Sequence, residues 1–527
     1  MISLRHFMKF LAIALGSACA LAQTTTQPAA TQPVVLDSGL KPEDVEKRPY
    51  IDYARQCLDL LMQYGTDRYG KEHLPILVAI LDVRTRDCPE NPLPLEETYR
   101  VLRRERRGPA GANLYLDQPT LHAMYLLSQV TGDRKYADFA RKEIACYLSK
   151  LVDHKGLIWW GWHRHYDVFK DEMTGHMGNS HEIHFQQAMW PQLWEVNPQA
   201  VTREVEAIWQ WHVIDKATGL INRHDNGQPG CDFAFTAGEI AHAFAFLYTK
   251  TGDRIWLERA KLVTGYYWQR RNPQTNLFAS TPRLTDRFDG HHFDTSDVGV
   301  FCYSLLKMHE MTREPVFRDQ AIAYMKAYAR YGWDSKASQF WASLKLDGEP
   351  VPAPAVTTDD YTRYQPRGHV DFWQPETASY ACGPYAAQNY AYAYALTQDK
   401  ELGAAARNWV DNVRRIWPPR ECRMDTYYRP YSQQWAPLGT YAEYYGRVIS
   451  FLLQMNALTE DRSHLDFART VADEAVARLY YRGLLRGHPG KPYYEAIDGV
   501  GYLLVALIQL DQVSHGNNLE KVGFENR

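Results

Sequence analysis

At residues 218–230 the chain reads TGLINRHDNGQPG, where the guanidinium of Arg223 stands beside the imidazole of His224 among turn-forming residues. An obligate cation next to an imidazole suits anion binding, metal ligation or proton handling. An upstream stretch, KGLIWWGWHRHYDVFKDEMTGHMGNSHEIHF, adds Trp162, His163, His165, His181, Glu182 and His184. A first-row divalent ion on a helical scaffold takes imidazole nitrogens and a carboxylate from different elements and keeps positions open for substrate. His163, Glu182 and His224 would supply that set, while His165, His181 and His184 compete for the same places. Each residue alone also has a plain reading, the histidines as satisfied polar contacts and the tryptophans as rim packing. Aromatic faces equally stack on sugar rings, and nearby cations hold carboxylates.

The elements that must position these residues repeat along the chain. An apolar helical segment, a turn of the type TGD, TRE or TED, and a second amphipathic helix recur in LHAMYLLSQVTGDRKYADFARKEIACYL and IAHAFAFLYTKTGDRIWLERAKLVTGYYW. Further copies are GVFCYSLLKMHEMTREPVFRDQAIAYMKAYARYG, YAYAYALTQDKELGAAARNWVDNVRRIW and VISFLLQMNALTEDRSHLDFARTVADEAVARLY. With the divergent FQQAMWPQLWEVNPQAVTREVEAIWQWHV and a pair closed from the two chain ends, about seven helical hairpins are expected. One hairpin cannot bury both its faces, so neighbours pack side by side. The predicted fold is all-α, an (α/α)-barrel or toroid whose active-site funnel is formed by the interrupting loops at 155–181, 218–234, 272–297, 341–381, 418–440 and 482–495.

Composition sets the frame. With 527 residues, 45% hydrophobic and 23% charged, the chain can bury a large core, and its net charge of −3 gives no global basic field of the kind nucleic-acid binders carry. Arg5 and Lys9, the run LAIALGSACALA and the small-residue site Ala20-Leu21-Ala22 predict a signal peptide at 1–22, hence export to the periplasm or beyond, without a lipoprotein anchor at Cys19. TTTQPAATQPVV predicts a disordered linker over 23–45, followed by a single catalytic domain at 46–515 and a flexible tail at 516–527. No later stretch suits a membrane span, and a monomer is expected. The mature chain keeps Cys57, Cys88, Cys146, Cys231, Cys302, Cys382 and Cys422, an odd and scattered set without a CxxC pair.

Three motifs resemble the family 2 pectate lyases. WWGWHR is similar to the aromatic, glycine-containing loop that carries the family's metal histidine, here His163. SHEIHFQQAMWPQLWEVNP resembles the HE pair leading into a helix that ends in VNP, which gives Glu182. AIWQWHVIDKATGLINRHDNG resembles the adjacent Arg-His of the family's base and last ligand, Arg223 and His224, and RGHPGKPYYEAIDGVGYLLVALIQL its closing segment. The resemblance implies an (α/α)7 barrel that cleaves polygalacturonate by β-elimination, with Mn2+ or a similar transition metal on His163, Glu182 and His224 and with Arg223 as base. An ordinary guanidinium keeps its proton, so that role needs burial and a neighbouring dication to disfavour the charged form. The alternative is that Arg223 clamps a substrate carboxylate.

Trp162, Arg283, Arg287, His292, Arg367, Lys491 and Tyr493 are candidates for binding the rest of a polyuronate chain. Asp286, Asp289, Asp294 and Asp297 are solvated, cap the next helix, or serve a second reading, a glycoside hydrolase with paired carboxylates. A third reading is a non-catalytic carbohydrate-binding protein with a tryptophan-rich rim.

Overall fold

The computed structural model describes residues 38–90, 111–175, 178–283, 291–352, 368–370, 372–373, 382–419 and 439–526. Among them, fourteen helices of seven residues or more fall into seven pairs. The first six pairs are α2 (Leu114–Thr131) with α3 (Lys135–Lys150), α4 (Trp190–Val196) with α5 (Pro198–Trp211), α6 (Ala234–Thr251) with α7 (Arg254–Arg270), α8 (Cys302–Thr312) with α9 (Pro315–Gly332), α10 (Gly383–Thr397) with α11 (Lys400–Ile416), and α12 (Ala442–Thr459) with α13 (Arg462–Leu479). The seventh joins α14 (Val500–Ser514) to α1 (Tyr50–Tyr64), from opposite ends of the described chain.

Burial separates an inner ring from an outer one. Every residue of Ala234–Leu247 in α6, Ala442–Met455 in α12 and Val500–Asp511 in α14 is buried, the signature of a helix enclosed on all sides. Their partners bury one stripe only; in α7 it runs through Trp256, Leu257, Ala260, Val263, Thr264 and Tyr267 at three- and four-residue spacing. From α6 to α12 the inner helices pack in sequence, and α14 meets both α12 and α2, in an (α/α)-barrel. Two glycines make that seam tight. A Cβ on Gly446 would come within 2.4 Å of the Tyr502 backbone, and one on Gly501 within 2.3 Å of the Thr120 nitrogen.

The short turn inside five of the pairs is the same device repeated. Thr131, Thr251, Thr312, Thr397 and Thr459 donate their hydroxyls to the carbonyl four residues earlier. The next residue is left-handed: Gly132 and Gly252, but also Arg313, Gln398 and Glu460. Asp253, Asp399 and Asp461 then cap the following helix by accepting backbone N–H groups.

One inner helix departs from this regularity. Helix α4 has seven residues where most of the other inner helices have 15 to 18, and Pro191 occupies its first turn. The stretch before it is extended rather than helical. The strands are short; Gly111–Ala112, Arg164–Asp167 and Glu172–Gly175 form a three-stranded sheet, and His292–Asp294 pairs with Ser343–Lys345.

Two expected boundaries are corrected. The end of the predicted disordered linker is anchored at two points: Ser38 Oγ donates to Ala477 O at 2.6 Å, and Val45 in the helical turn Pro42–Val45 is fully buried. The predicted flexible tail is docked on the inner helices. Gln509 Nε2 donates to Gly523 O at 2.7 Å and Gln454 Nε2 to Phe524 O at 2.8 Å. Asn526 donates to Ser450 Oγ and Tyr502 O, both at 2.8 Å, and accepts from Arg447 Nη1 at 3.2 Å. Its polar residues match unsatisfied polar groups inside the ring rather than solvent. The signal peptide and most of the linker lie outside the described residues. Cys57, Cys88, Cys146, Cys231, Cys302 and Cys382 are free thiols, and Cys422 is outside the described residues.

Candidate metal centre

Three backbone segments bring the opening residues together. Glu182 and His224 face each other across an antiparallel bridge, extended by Ile183 N to Arg223 O at 3.0 Å and Asp225 N to His181 O at 3.2 Å. The turn that follows is shaped by Asn222, whose Oδ1 accepts the His224 N–H at 3.1 Å while its Nδ2 reaches Asn226 Oδ1 at 3.0 Å and Gln228 O at 2.8 Å. The His163 loop presses onto this pair through Gly161, at φ +111°, where a Cβ would meet Glu182 O at 2.7 Å. Asn113, capping α2, holds that loop through Gly161 O at 2.6 Å and Arg164 O at 3.0 Å.

The result is a buried constellation of His163, Glu182 and His224 with one ligand atom each, all within 4.8 Å of one another. His163 Nε2 lies 2.9 Å from Glu182 Oε2 and His224 Nε2 lies 3.7 Å from Glu182 Oε1. These atoms are close but not aligned as hydrogen bonds, and the buried Nε2 atoms and both carboxylate oxygens have no hydrogen-bond partner. Lone pairs facing one another across such a gap fit a shared cation, and two imidazoles with one carboxylate are a transition-metal donor set. Arg223 sits against the same group, Nε 3.0 Å from Glu182 Oε1 and the guanidinium carbon 5.2 Å from the Phe233 ring centre.

The electrostatics follow. Burial alone would raise the Glu182 carboxyl, but Arg223, His163 and His224 outweigh it and hold that group well below the carboxylate range. Burial, reinforced by the charge of Arg223, brings His224 down to about 3, so its ring is neutral at ordinary pH and free to ligate. Asp225, missed by the sequence reading although it directly follows His224, anchors the site from the side. Its Oδ1 accepts the His181 N–H at 2.9 Å, and its Oδ2 meets Lys155 at 2.8 Å and Arg164 at 3.3 Å. Burial works against its charge, yet the Lys155 hydrogen bond and the surrounding cationic groups bring it to about 2. A cavity of about 470 Å³ opens here, lined by Lys155, Trp159, Asn179, Ser180, His224 and Asn226 among others.

Two of the competing histidines, His181 and His184, are engaged elsewhere. In an extended strand successive side chains point to opposite faces, so His181 turns away from Glu182 and meets His212 at 2.9 Å. His184 stacks on Trp162 at 4.2 Å. Trp162 is buried in that stack rather than presented as an open face. Lys491 and Tyr493, expected to meet substrate, are buried; Lys491 is held by Glu495 at 2.6 Å and Asp498 at 2.7 Å, and Tyr493 pairs with Asp82 in a strand. His292 is buried with Nε2 3.5 Å from Asp294, while Arg283 is exposed and its backbone N–H bonds Asp232. Asp294 and Asp297 are buried rather than solvated, tied to Ser296 and Ser280, and Asp297 stands in a π-helical turn before α8. Arg287, Arg367, Asp286 and Asp289 lie outside the described residues.

A family model described as periplasmic pectate lyase matches residues 101–234, the stretch holding all four central residues, and supports a carbohydrate-active enzyme. Among solved structures the chain is similar to a family 76 glycoside hydrolase from a bovine Bacteroides thetaiotaomicron strain, at 15% identity and TM-score 0.45 over 89% of this chain and 79% of that one. An unsaturated glucuronyl hydrolase specific for heparin matches at 10% identity and TM-score 0.46 over 89% and 99%. Cellobiose 2-epimerase from Bacillus thermoamylovorans B4167 matches at 9% and 0.45 over 88% and 99%. Likenesses of this degree carry no activity over to this chain. No helix among the described residues is long and apolar enough to cross a membrane.

Proposed function

We propose that this protein is an exported polysaccharide lyase that cleaves pectate or a related polyuronate by β-elimination, with Arg223 as base. The observation that supports the reading is the meeting of two imidazoles and one carboxylate, without hydrogen bonds between them, beside a buried guanidinium.

His163, Glu182 and His224 are the residues that would hold a divalent transition metal, Mn2+ in the first instance. When bound, such an ion supplies positive charge against the substrate carboxylate and so stabilises the enolate-like charge that develops on proton loss. Neutral Arg223 takes the C5 proton; the C–H electron pair becomes the C4–C5 double bond, the C4–O bond breaks, and the leaving oxygen takes a proton from solvent water. Glu182 at 3.0 Å and the Phe233 ring both favour the charged guanidinium, so the base role rests on the burial of Arg223 and on the positive charge that a dication held by the adjoining His224 would set beside it. Glu182 orients it through the 3.0 Å contact to Nε.

The experiment is a panel of polyuronates followed by ultraviolet absorbance. A lyase gives the new absorbance of a C4–C5 double bond, loses it with a chelator and regains it with Mn2+. Reducing ends formed without that absorbance mean hydrolysis and sink the reading. His224→Ala is expected to lose tight Mn2+ binding with the helical circular dichroism unchanged.

A further inference from the structure

Behind the candidate centre runs a buried chain of contacts that the elimination does not use. His212 Nδ1 lies 3.0 Å from Asn222 O, His212 Nε2 lies 2.9 Å from His181 Nδ1, and His181 Nε2 lies 3.4 Å from Glu204 Oε1. Glu204 in turn accepts from Trp160 Nε1 at 2.9 Å and from Ile158 N at 2.6 Å. His212 caps the C-terminus of α5 and Glu204 lies on it two turns earlier, so both project from one face of the same helix.

A carbonyl only accepts, so Nδ1 of His212 carries its proton. A singly protonated ring then offers Nε2 as an acceptor, and His181 must donate from its own Nδ1. One backbone carbonyl thus fixes two tautomers. The chain also touches each segment that brings a residue to the centre. Asn222 precedes Arg223 and His224, His181 precedes Glu182, and Ile158 and Trp160 belong to the loop that carries His163.

We propose that His212, acting through His181, is a positioning residue that registers the Glu182 and Arg223–His224 segments on the face of α5 from which Glu204 holds the His163 loop, and thereby sets the convergence of His163, Glu182 and His224. Outer-shell groups of this kind orient metal ligands, and their loss weakens metal affinity about 10–100-fold. The inference rests on the metal-centre reading.

Its test compares wild type, His212→Gln and His212→Phe by Mn2+ titration calorimetry, with thermal unfolding measured alongside. Gln restores an acceptor near the Nε2 position and is expected to bind within about threefold of wild type; Phe keeps the ring volume and is expected to bind roughly 10–100-fold more weakly. A folded His212→Phe that binds Mn2+ like wild type overturns the proposal. If that variant does not fold, His212→Asn replaces it, retaining the donor to Asn222 while losing the acceptor for His181, with the same loss expected. Histidine 15N spectra of the metal-free protein separate this inference from the reading beneath it. If wild type binds no Mn2+, the metal reading falls, and spectra showing Nδ1-protonated neutral rings at both positions still support the relay. Any other protonation pattern there overturns it.

Discussion

Two buried clusters of charge in this ring are built in opposite ways. At the closing segment Lys491 is enclosed by Glu495 and Asp498 at 2.6 and 2.7 Å, with each charge answered inside the protein. At the other cluster Glu182 faces His163, His224 and Arg223, and ring nitrogens and carboxylate oxygens lack hydrogen-bond partners. The first arrangement is what stability asks of buried ions, since an unanswered charge is expensive. The second leaves coordinating capacity in reserve, as a site does when a ligand is to complete it. Buried charge alone therefore does not mark function; the state of its lone pairs does.

The largest expected effect breaks the comparison at the second cluster. Arg223→Ala should lower lyase turnover by roughly 10²–10⁴-fold while Mn2+ binding persists; near-normal rates in the ultraviolet assay would remove Arg223 as base. Lys491→Met should act on the other side, leaving two buried carboxylates without their cation and costing about 3–5 kcal/mol in denaturant unfolding. Mn2+ affinity should not move, and a variant as stable as wild type would mean that the closed cluster contributes nothing.

Acidity should draw the same line more finely. His181, His212, His224 and His242 are each lowered to about 3, with burial as the leading cause. The unfolded chain takes up protons below about 6.5 that these folded rings refuse until about 3, so stability falls as pH drops through that window. Glu204 has the opposite sign, raised to about 8 by burial. Its contribution is complete below the ordinary glutamate value and is lost as pH rises through about 8. Denaturation midpoints against pH should show both limbs, and Glu204→Gln should flatten only the alkaline one. The smallest effect belongs to the scaffold: Asp253→Ala removes one helix cap and should cost about 1 kcal/mol, with no change in metal affinity.

What could be read from the sequence divides along similar lines. The hairpins were legible because helical periodicity and the T-x-D turn are local properties, written within about thirty residues. Arg223, His224, Glu182 and His163 were legible as residue types. Which histidines converge was not legible from residue types alone, because His181 and Glu182 differ only in the face of the strand they occupy; the resemblance of the motifs is what singled out His163 and His224. Lys491 misled because GHPGKPYYE looks like an open loop, while its carboxylates answer it from four and seven residues on. The docked segment ending at Asn526 misled for a related reason, as its polar composition looks solvated and its partners Gln454, Gln509 and Arg447 become neighbours only when the ring closes.

That closure has an engineering consequence. Because α14 lies beside α1 and also packs on α2, the circle of hairpins has no intrinsic first member, and its start along the polypeptide is a matter of connectivity rather than architecture. Linking the two ends and reopening the chain at an exposed joint such as Gly252–Asp253 should yield a permuted protein with the same circular core.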